Sequence, residues 1–136
     1  MRRFSLLGEH AAVWLALGFA GVAMDAPRRG RWRRAVASVG VAYVANTAIK
    51  VAVKRRRPAL PGLPPLAGTP TGLSFPSAHA TSSFAAARAY SALVPGAPLY
   101  ALAAGLALSR LYLGVHFPSD SVAGIALGTV VGSLGR

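Results

Sequence analysis

Long apolar stretches alternate with short polar connections along the whole of this 136-residue chain. The apolar stretches predict helices over about 4–24, 35–53, 77–94, 99–114 and 119–134. Each of these helices is close to the length that crosses the hydrocarbon core of a bilayer. The pattern therefore predicts an all-α integral membrane helical bundle with about five transmembrane helices.

Two of the polar connections are long enough to have a role of their own. The connection at 54–76 contains six prolines and cannot continue a helix, so it is expected at the membrane surface, where water satisfies its backbone. It is either a lid or substrate-access rim over a site, or a simple linker in which Arg55 and Arg56 contact lipid headgroups. The connection at 25–34 carries five arginines and Trp32, which is placed like an interfacial anchor.

Composition supports a membrane protein and argues against several other classes. Apolar residues make up 54% of the chain and charged residues 13%. The net charge of +12 comes from arginines clustered between apolar stretches, which is typical of contact with lipid headgroups and not of nucleic-acid binding. The absence of cysteine excludes disulfides, thiolate nucleophiles and cysteine metal sites. No internal repeat divides the chain, so residues 1–136 are expected to form one membrane-embedded domain.

The order of the helices brings several connections to the same side of the membrane. With five spans, the end of the second helix, the start of the third and the junction of the fourth and fifth all lie on one face. Outside the candidate site, that face carries five basic residues and the other face six. The positive-inside rule then favours a multi-pass protein of the cell membrane with this face directed outward.

One short stretch, 109–120, combines a cation, an imidazole and one of the three carboxylates of the chain. Asp120 follows His116 by four residues, a spacing that puts both side chains on one face of a helical turn. The carboxylate can then hold the proton on one ring nitrogen and leave the other as a base or nucleophile. Arg110, six residues before His116, supplies a guanidinium suited to phosphate. The structural alternative is a buried histidine beside a helix-starting aspartate.

Two further stretches carry groups that suit an anion. Lys50 and Arg57-Pro58 bracket six residues at the end of the second predicted helix. Pro76-Ser77-Ala78-His79 opens the third. The Ser77 hydroxyl and the first N–H groups of that helix converge on one point, an arrangement that binds a phosphate oxyanion.

Taken together, the three stretches resemble the signature of the type-2 phosphatidic acid phosphatase superfamily. The matching parts are Lys50-x6-Arg57-Pro58, then Pro-Ser-Ala-His, then Ser-Arg-x5-His-x3-Asp, in the order that the family has them. They extend over 50–120, about half of the chain. Ala78 stands where the family most often has glycine, and alanine can replace a glycine that contributes only its N–H if φ is negative.

This resemblance implies a phosphohistidine mechanism. His116 would attack phosphorus, Asp120 would orient it, and His79 would protonate the departing alkoxide and then activate water. The phosphate oxygens would be held by the remaining motif residues, Lys50, Arg57, Ser77, Ala78 and Arg110. No metal or other cofactor is implied, because these cations already neutralise the phosphate.

The resemblance also implies a lipid phosphate as substrate, whose tail stays in the bilayer. The short length and the Gly8-Glu9-His10 start are similar to those of actinobacterial members, which implies a polyprenyl-phospho-sugar phosphate such as decaprenylphosphoryl-5-phosphoribose in cell-wall synthesis. Polyprenyl diphosphate, phosphatidylglycerophosphate and phosphatidate are the alternatives. A non-catalytic lipid-binding scaffold is the alternative from another class, and the intact His116, His79 and Asp120 argue against it.

Several residues outside the motifs are also expected to have partners. Glu9 and His10, in the first predicted helix, either reach the headgroup layer or contact a polar substrate group. Arg88, deep in the third, needs a partner such as Asp25 or the opposite headgroups. Asn46 is expected to contact a neighbouring helix. A stripe of small residues predicts close packing inside the bundle, with oligomerisation as the second use of Gly124, Gly128 and Gly132.

Overall fold

The computed structural model of the protein describes residue 3, residues 11–59, residue 66 and residues 68–136. Its α-helices in these ranges are α1 (Ala12–Met24), α2 (Arg29–Val53), α3 (Ala78–Tyr90), α4 (Gly96–Tyr112) and α5 (Pro118–Ser133). A turn of 3-10 helix, Ala26–Arg28, joins α1 to α2. The predicted five-helix, all-α bundle is therefore confirmed. The predicted start of the first helix, with Glu9 and His10, lies outside the described residues.

The second helix begins at Arg29, six residues earlier than the sequence pattern predicts. Asp25 accounts for this start, because its carboxylate accepts a hydrogen bond of 2.9 Å from Trp32 Nε1 and pairs with Arg28 at 2.6 Å. Trp32 is buried, and its ring centroid lies 5.4 Å from that of Tyr90. The prediction of Trp32 as an interfacial anchor is therefore wrong, since it belongs to the core.

Helix α3 is the centre of the bundle, and nearly all of its residues are buried. Its alanines, serines and threonines let other helices approach closely. Helix α5 approaches through three glycines, at which an added Cβ would fall against the backbone oxygens of α3 and its N-cap. Packing inside the bundle is thus the role of the small-residue stripe. The prediction that Gly124, Gly128 and Gly132 also serve in oligomerisation is corrected, because α3 already covers all three glycines.

Hydrogen bonds between helices fix the position of α3. Asn46 Nδ2 on α2 donates to Thr81 Oγ1 at 2.9 Å, which confirms the predicted contact with a neighbouring helix. Trp14 Nε1 on α1 donates to Ser83 Oγ at 2.9 Å. Arg88 Nε donates to Ser133 Oγ of α5 at 3.0 Å. Asp25 is engaged elsewhere, so its predicted pairing with Arg88 is wrong.

Much of the outer surface of the helices is apolar. Among the described residues, one helical segment, Ala26–Val53, is long and apolar enough to cross a membrane, and α1 is apolar but shorter. Large apolar side chains are exposed on four of the helices, among them Phe19, Val44, Leu108 and Val122. An exposed apolar surface of this extent marks a site of contact with another phase or protein, and a lipid bilayer fits it.

Candidate active site

Three separate parts of the chain meet around one cavity at the end of the bundle. The cavity has a volume of about 150 Å³ and is lined by six of the predicted site residues, Lys50, Arg57, Ala78, His79, Arg110 and His116. They come from the last turn of α2, the first turn of α3, the last turn of α4 and two connections. A cavity of this volume holds a molecule of about benzene's size, which is enough for a phosphoryl group.

The ring of His116 is held between a carboxylate and a guanidinium. Its Nδ1 lies 3.4 Å from Asp120 Oδ2, and its Nε2 lies 3.2 Å from Arg57 Nη1. A guanidinium only donates hydrogen bonds, so Nε2 must be the acceptor and the proton must sit on Nδ1, facing the carboxylate. This is the tautomer that the four-residue spacing predicts, with a lone pair on the nitrogen that faces the cavity.

The surroundings of His116 favour its neutral form. The residue is buried, with 5% of its surface exposed. Burial is the largest cause that lowers the pKa of His116 well below its ordinary value, followed by the nearby charges of Arg57, Arg110, Lys50 and His79. The imidazole therefore stays unprotonated at neutral pH, which is the form that can attack an electrophile.

Two of the cations around the cavity, Lys50 and Arg57, are held by backbone carbonyls. Lys50 Nζ donates to Pro76 O at 2.8 Å. Arg57 donates through Nε to Thr71 O at 2.9 Å and through Nη1 to Val115 O at 2.8 Å. Burial and then the charge of Arg110 lower the pKa of Arg57 to about 10, which still leaves it protonated at neutral pH. The cavity is thus lined by fixed positive charges suited to a phosphate dianion.

Ser77 and Ala78 occupy different places relative to this cavity. Ser77 is the N-cap of α3 and is fully buried, and its hydroxyl accepts a hydrogen bond of 3.5 Å from Ala80 N. It does not line the cavity. Ala78 does, and its φ is not positive, so alanine is compatible with the position where the resemblance places glycine.

Asp120 stands behind His116 and also links two elements. It is fully buried, and its Oδ2 accepts a hydrogen bond of 2.8 Å from Phe117 N. Its backbone oxygen accepts from Ser77 N at 3.0 Å. The start of α5 is therefore tied to the start of α3, and this tie fixes the distance between His116 and the first turn of α3.

Both ends of the 54–76 connection lie beside the cavity. Arg56 forms an antiparallel bridge with Leu73, flanked by hydrogen bonds from Ser74 N to Arg55 O at 2.8 Å and from Arg57 N to Gly72 O at 3.2 Å. The cavity is lined there by Pro70 and Thr71. The described part of this connection thus forms part of the rim of the site.

Sequence reasoning missed four of the residues that surround the site. Tyr43, Thr47 and Thr71 line the cavity. Tyr43 lies seven residues before Lys50 and Thr47 three, so helical spacing alone could have indicated them. Arg55, predicted to contact headgroups, instead donates through Nη1 to Asp120 Oδ1 at 3.0 Å.

The helical fold and an imidazole facing several cations define a helical-bundle phosphatase. The model of the PAP2 superfamily matches residues 31–135, more than half of the chain. The chain therefore belongs to the PAP2 superfamily, which confirms the resemblance to the type-2 phosphatidic acid phosphatases.

Curated relatives and solved structures are similar to this chain over most of its length. Among the relatives is the decaprenylphosphoryl-5-phosphoribose phosphatase of Mycobacterium tuberculosis, 44% identical, with 98% of this chain and 75% of the relative covered. The crystal structure of Aquifex aeolicus LpxE matches with a TM-score of 0.82 and 24% identity, covering 98% and 81%. That of a transmembrane PAP2-type phosphatidylglycerolphosphate phosphatase from Bacillus subtilis matches with a TM-score of 0.74 and 25% identity, covering 97% and 71%.

Proposed function

We propose that this chain is a membrane lipid phosphatase that hydrolyses the phosphate ester of a lipid-linked substrate. The observation that carries the proposal is the placement of His116, with Nδ1 facing Asp120 and Nε2 facing a cavity lined by cations. Phosphoryl transfer requires mainly positioning and neutralisation of charge, and this arrangement supplies both.

In the first step, the substrate phosphate enters the cavity and binds Lys50, Arg57 and Arg110. Its oxygens draw the guanidinium of Arg57 away from His116, which leaves the Nε2 lone pair directed at phosphorus. The P–N bond forms as the ester P–O bond breaks, and the departing alkoxide takes a proton from His79. The transition-state charge is spread over oxygens that already face cations.

In the second step, water attacks phosphorus from the side of the departed alcohol. His79, now deprotonated, accepts the proton of that water, and the P–N bond breaks. The products are inorganic phosphate and a neutral His116. The phosphohistidine is the intermediate in this scheme, and the backbone N–H of Ala78 is a further donor to the phosphate oxygens.

The substrate class that we propose is a polyprenyl-phospho-sugar phosphate. The name and the 44% identity of the mycobacterial relative support it. The cavity of about 150 Å³ is compatible with it, because the terminal phosphoryl group can enter while the sugar and the lipid tail stay outside. Phosphatidylglycerophosphate is the second candidate, supported by the activity named for the Bacillus subtilis protein.

The membrane placement that we propose is multi-pass, with the cavity at the outer face of the cell membrane. The exposed apolar side chains of the helices support burial in lipid. The arginines at the start of α2, at the other end of the bundle, would then lie in the cytoplasmic headgroup layer.

The experiment that tests the function is phosphate release by the purified protein from a panel of prenyl and glycerolipid phosphates. We expect turnover by the wild type and a loss of several orders of magnitude in His116→Ala, with an unchanged elution profile and thermal midpoint in detergent. Tight binding of these lipids without phosphate release would indicate the scaffold instead. Undiminished turnover by His116→Ala would exclude this residue as the nucleophile.

A further inference from the structure

Two arginines of one extended segment engage the His116–Asp120 pair from opposite sides. Arg55 and Arg57 flank the bridge residue Arg56, and side chains two apart on an extended backbone point to the same face. Arg57 Nη1 lies 3.2 Å from Nε2 of the imidazole, and Arg55 Nη1 lies 3.0 Å from Oδ1 of the carboxylate. Arg56 points the other way and is exposed.

The carboxylate of Asp120 is fully buried and uses both of its oxygens. Oδ2 accepts from Phe117 N at 2.8 Å and faces the Nδ1 of His116 at 3.4 Å. Oδ1 accepts from Arg55 at 3.0 Å. A buried carboxylate is costly unless its charge is paired and its lone pairs are satisfied, and Arg55 does both on the side that faces away from the cavity.

Arg55 is itself fixed in place by its neighbours. Its Nη1 also donates to Ser119 Oγ at 2.8 Å, and its guanidinium lies 4.2 Å from the centroid of the Phe117 ring. The side chain therefore covers Asp120 on its outer side, although 38% of its own surface is exposed. A planar guanidinium can stack and donate in this way, whereas the point charge of lysine reproduces only the ion pair.

We propose that Arg55 is a positioning residue of the phosphatase reaction, which fixes the rotamer of Asp120 and excludes water from it so that Oδ2 stays on the Nδ1 proton of His116. The inference rests on the proposed function. It adds a residue that none of the three motifs specifies, since position 55 lies among the six unspecified residues between Lys50 and Arg57.

Arg55 also divides the charge of Asp120 between two partners. A carboxylate bonded to a guanidinium stabilises an imidazolium less than an unshared carboxylate does. Removing the guanidinium therefore strengthens the attraction between Asp120 and a protonated His116, which raises the pKa of His116. The neutral, attacking form is then lost at a higher pH than in the wild type.

The test compares Arg55→Gln, Arg55→Lys and the matched control Arg56→Gln, all purified in detergent. For Arg55→Gln we expect kcat to fall about tenfold to a hundredfold, the range seen when outer hydrogen-bond partners of metal-binding imidazoles are removed, with KM within about twofold. The acidic limb of kcat should move to higher pH. Arg55→Lys should recover part of kcat, and Arg56→Gln should match the wild type.

A second readout is independent of activity. In protein with nitrogen-15-labelled histidine, the ring signals of His116 should titrate at higher pH in Arg55→Gln than in Arg56→Gln. Equal kcat and equal titration of His116 in these two variants would overturn the proposal. A raised KM at unchanged kcat in Arg55→Gln would also overturn it, because that result would indicate that Arg55 binds a headgroup. If the wild type releases phosphate from no lipid, the proposed function fails while the titration still decides the role of Arg55.

Discussion

At His116, the positive charges that would bind a phosphate also keep the imidazole neutral. Arg57, Arg110 and Lys50 all lower the pKa of His116, in addition to the effect of burial. A nucleophilic histidine must be unprotonated, so the groups that recognise the substrate also prepare the attacking group. Asp120 provides the opposing charge from behind the ring, where it selects the tautomer without facing the substrate.

The lowered pKa of His116 predicts a loss of stability in acid. The unfolded chain binds a proton on this residue below about pH 6.5, whereas the folded chain does not, so the free energy of unfolding should fall as the pH decreases from there. One group can contribute about 1.4 kcal/mol per pH unit. Thermal unfolding in detergent, measured between neutral and acidic pH, should show this slope, and His116→Gln should flatten it. An identical slope in both proteins would contradict a neutral, buried His116.

The proposed attack on phosphorus predicts inhibition by vanadate. Vanadate adopts the trigonal-bipyramidal geometry of the transition state, and the cations of the cavity should hold its oxygens. Phosphate release should decline with vanadate in competition with substrate. His116→Ala, which lacks the attacking nitrogen, should bind vanadate more weakly, as measured by calorimetry. Full turnover in a large excess of vanadate would argue against a phosphohistidine.

Most of the site was predictable from sequence because its chemistry depends on local spacing. The interval between His116 and Asp120 determines their contact, and the motifs specify the cations that line the cavity. Ser77, predicted to bind phosphate, caps α3 with its hydroxyl and is not among the residues that line the cavity, so its role in binding stays a prediction. The contact of Arg55 depends on how the connection after α2 folds back beside α5, and spacing within one segment does not reveal that.

Among the elements, α3 and α5 decide the geometry of the site. α3 carries His79 at its start, and α5 carries Asp120 in its first turn. Their close approach depends on glycine, because a Cβ at Gly128 would fall against the backbone oxygen of Thr81. Backbone cannot move aside as a flexible side chain can, so the two helices would have to separate.

This packing predicts that Gly128→Ala destabilises the protein and lowers its activity. We expect a loss of about 1–3 kcal/mol, typical of overpacking, together with a reduced kcat as His79 moves relative to His116. The matched control is Gly40→Ala in α2, where an added Cβ meets no atom within 4 Å. That control should be neutral or slightly stabilising, because alanine favours a helix. Equal melting temperatures for the two variants would contradict the assigned role of Gly128.

The helix ends nearest the site were all predicted to within two residues, whereas the start of α2 differs from its prediction by six residues. Predicted and observed bounds of α5 differ by one residue at each end. The observed helix already includes Pro118, because proline suits the first turn of a helix. The start of α2 was missed because Asp25 and Trp32 join across the 3-10 turn, and Trp32 then packs on Tyr90 from another helix. A contact between helices of this kind leaves no periodic signal in the sequence.

For the whole molecule, the main sequence-based expectation was that alternating spans bring all three motifs to one face. The six residues around the cavity agree with it. The direction in which the site faces across the membrane has a weaker signal in the sequence, because basic residues are almost equally divided between the two ends of the bundle.

The proposed orientation predicts the accessibility of introduced cysteines, which the chain otherwise lacks. Gly68→Cys, exposed near the rim, should react with a membrane-impermeant maleimide in intact cells. Arg33→Cys lies seventeen residues before Lys50 on α2, about 25 Å along the helix, and should react only after permeabilisation. Labelling of both variants in permeabilised cells is the control. The reverse pattern would mean that the site faces the cytoplasm.

The contact between Arg57 and His116 distinguishes anionic from neutral molecules that enter the cavity. The guanidinium of Arg57 lies against the lone pair of His116 Nε2, at 3.2 Å. A neutral electrophile has nothing to offer the guanidinium and meets a blocked nitrogen, whereas an anion exchanges partners with it and exposes the nitrogen in the same movement. We therefore expect neutral electrophiles to be excluded already at the binding step. The negative charge of the substrate itself would release Nε2 of His116 from Arg57 and make it available for attack.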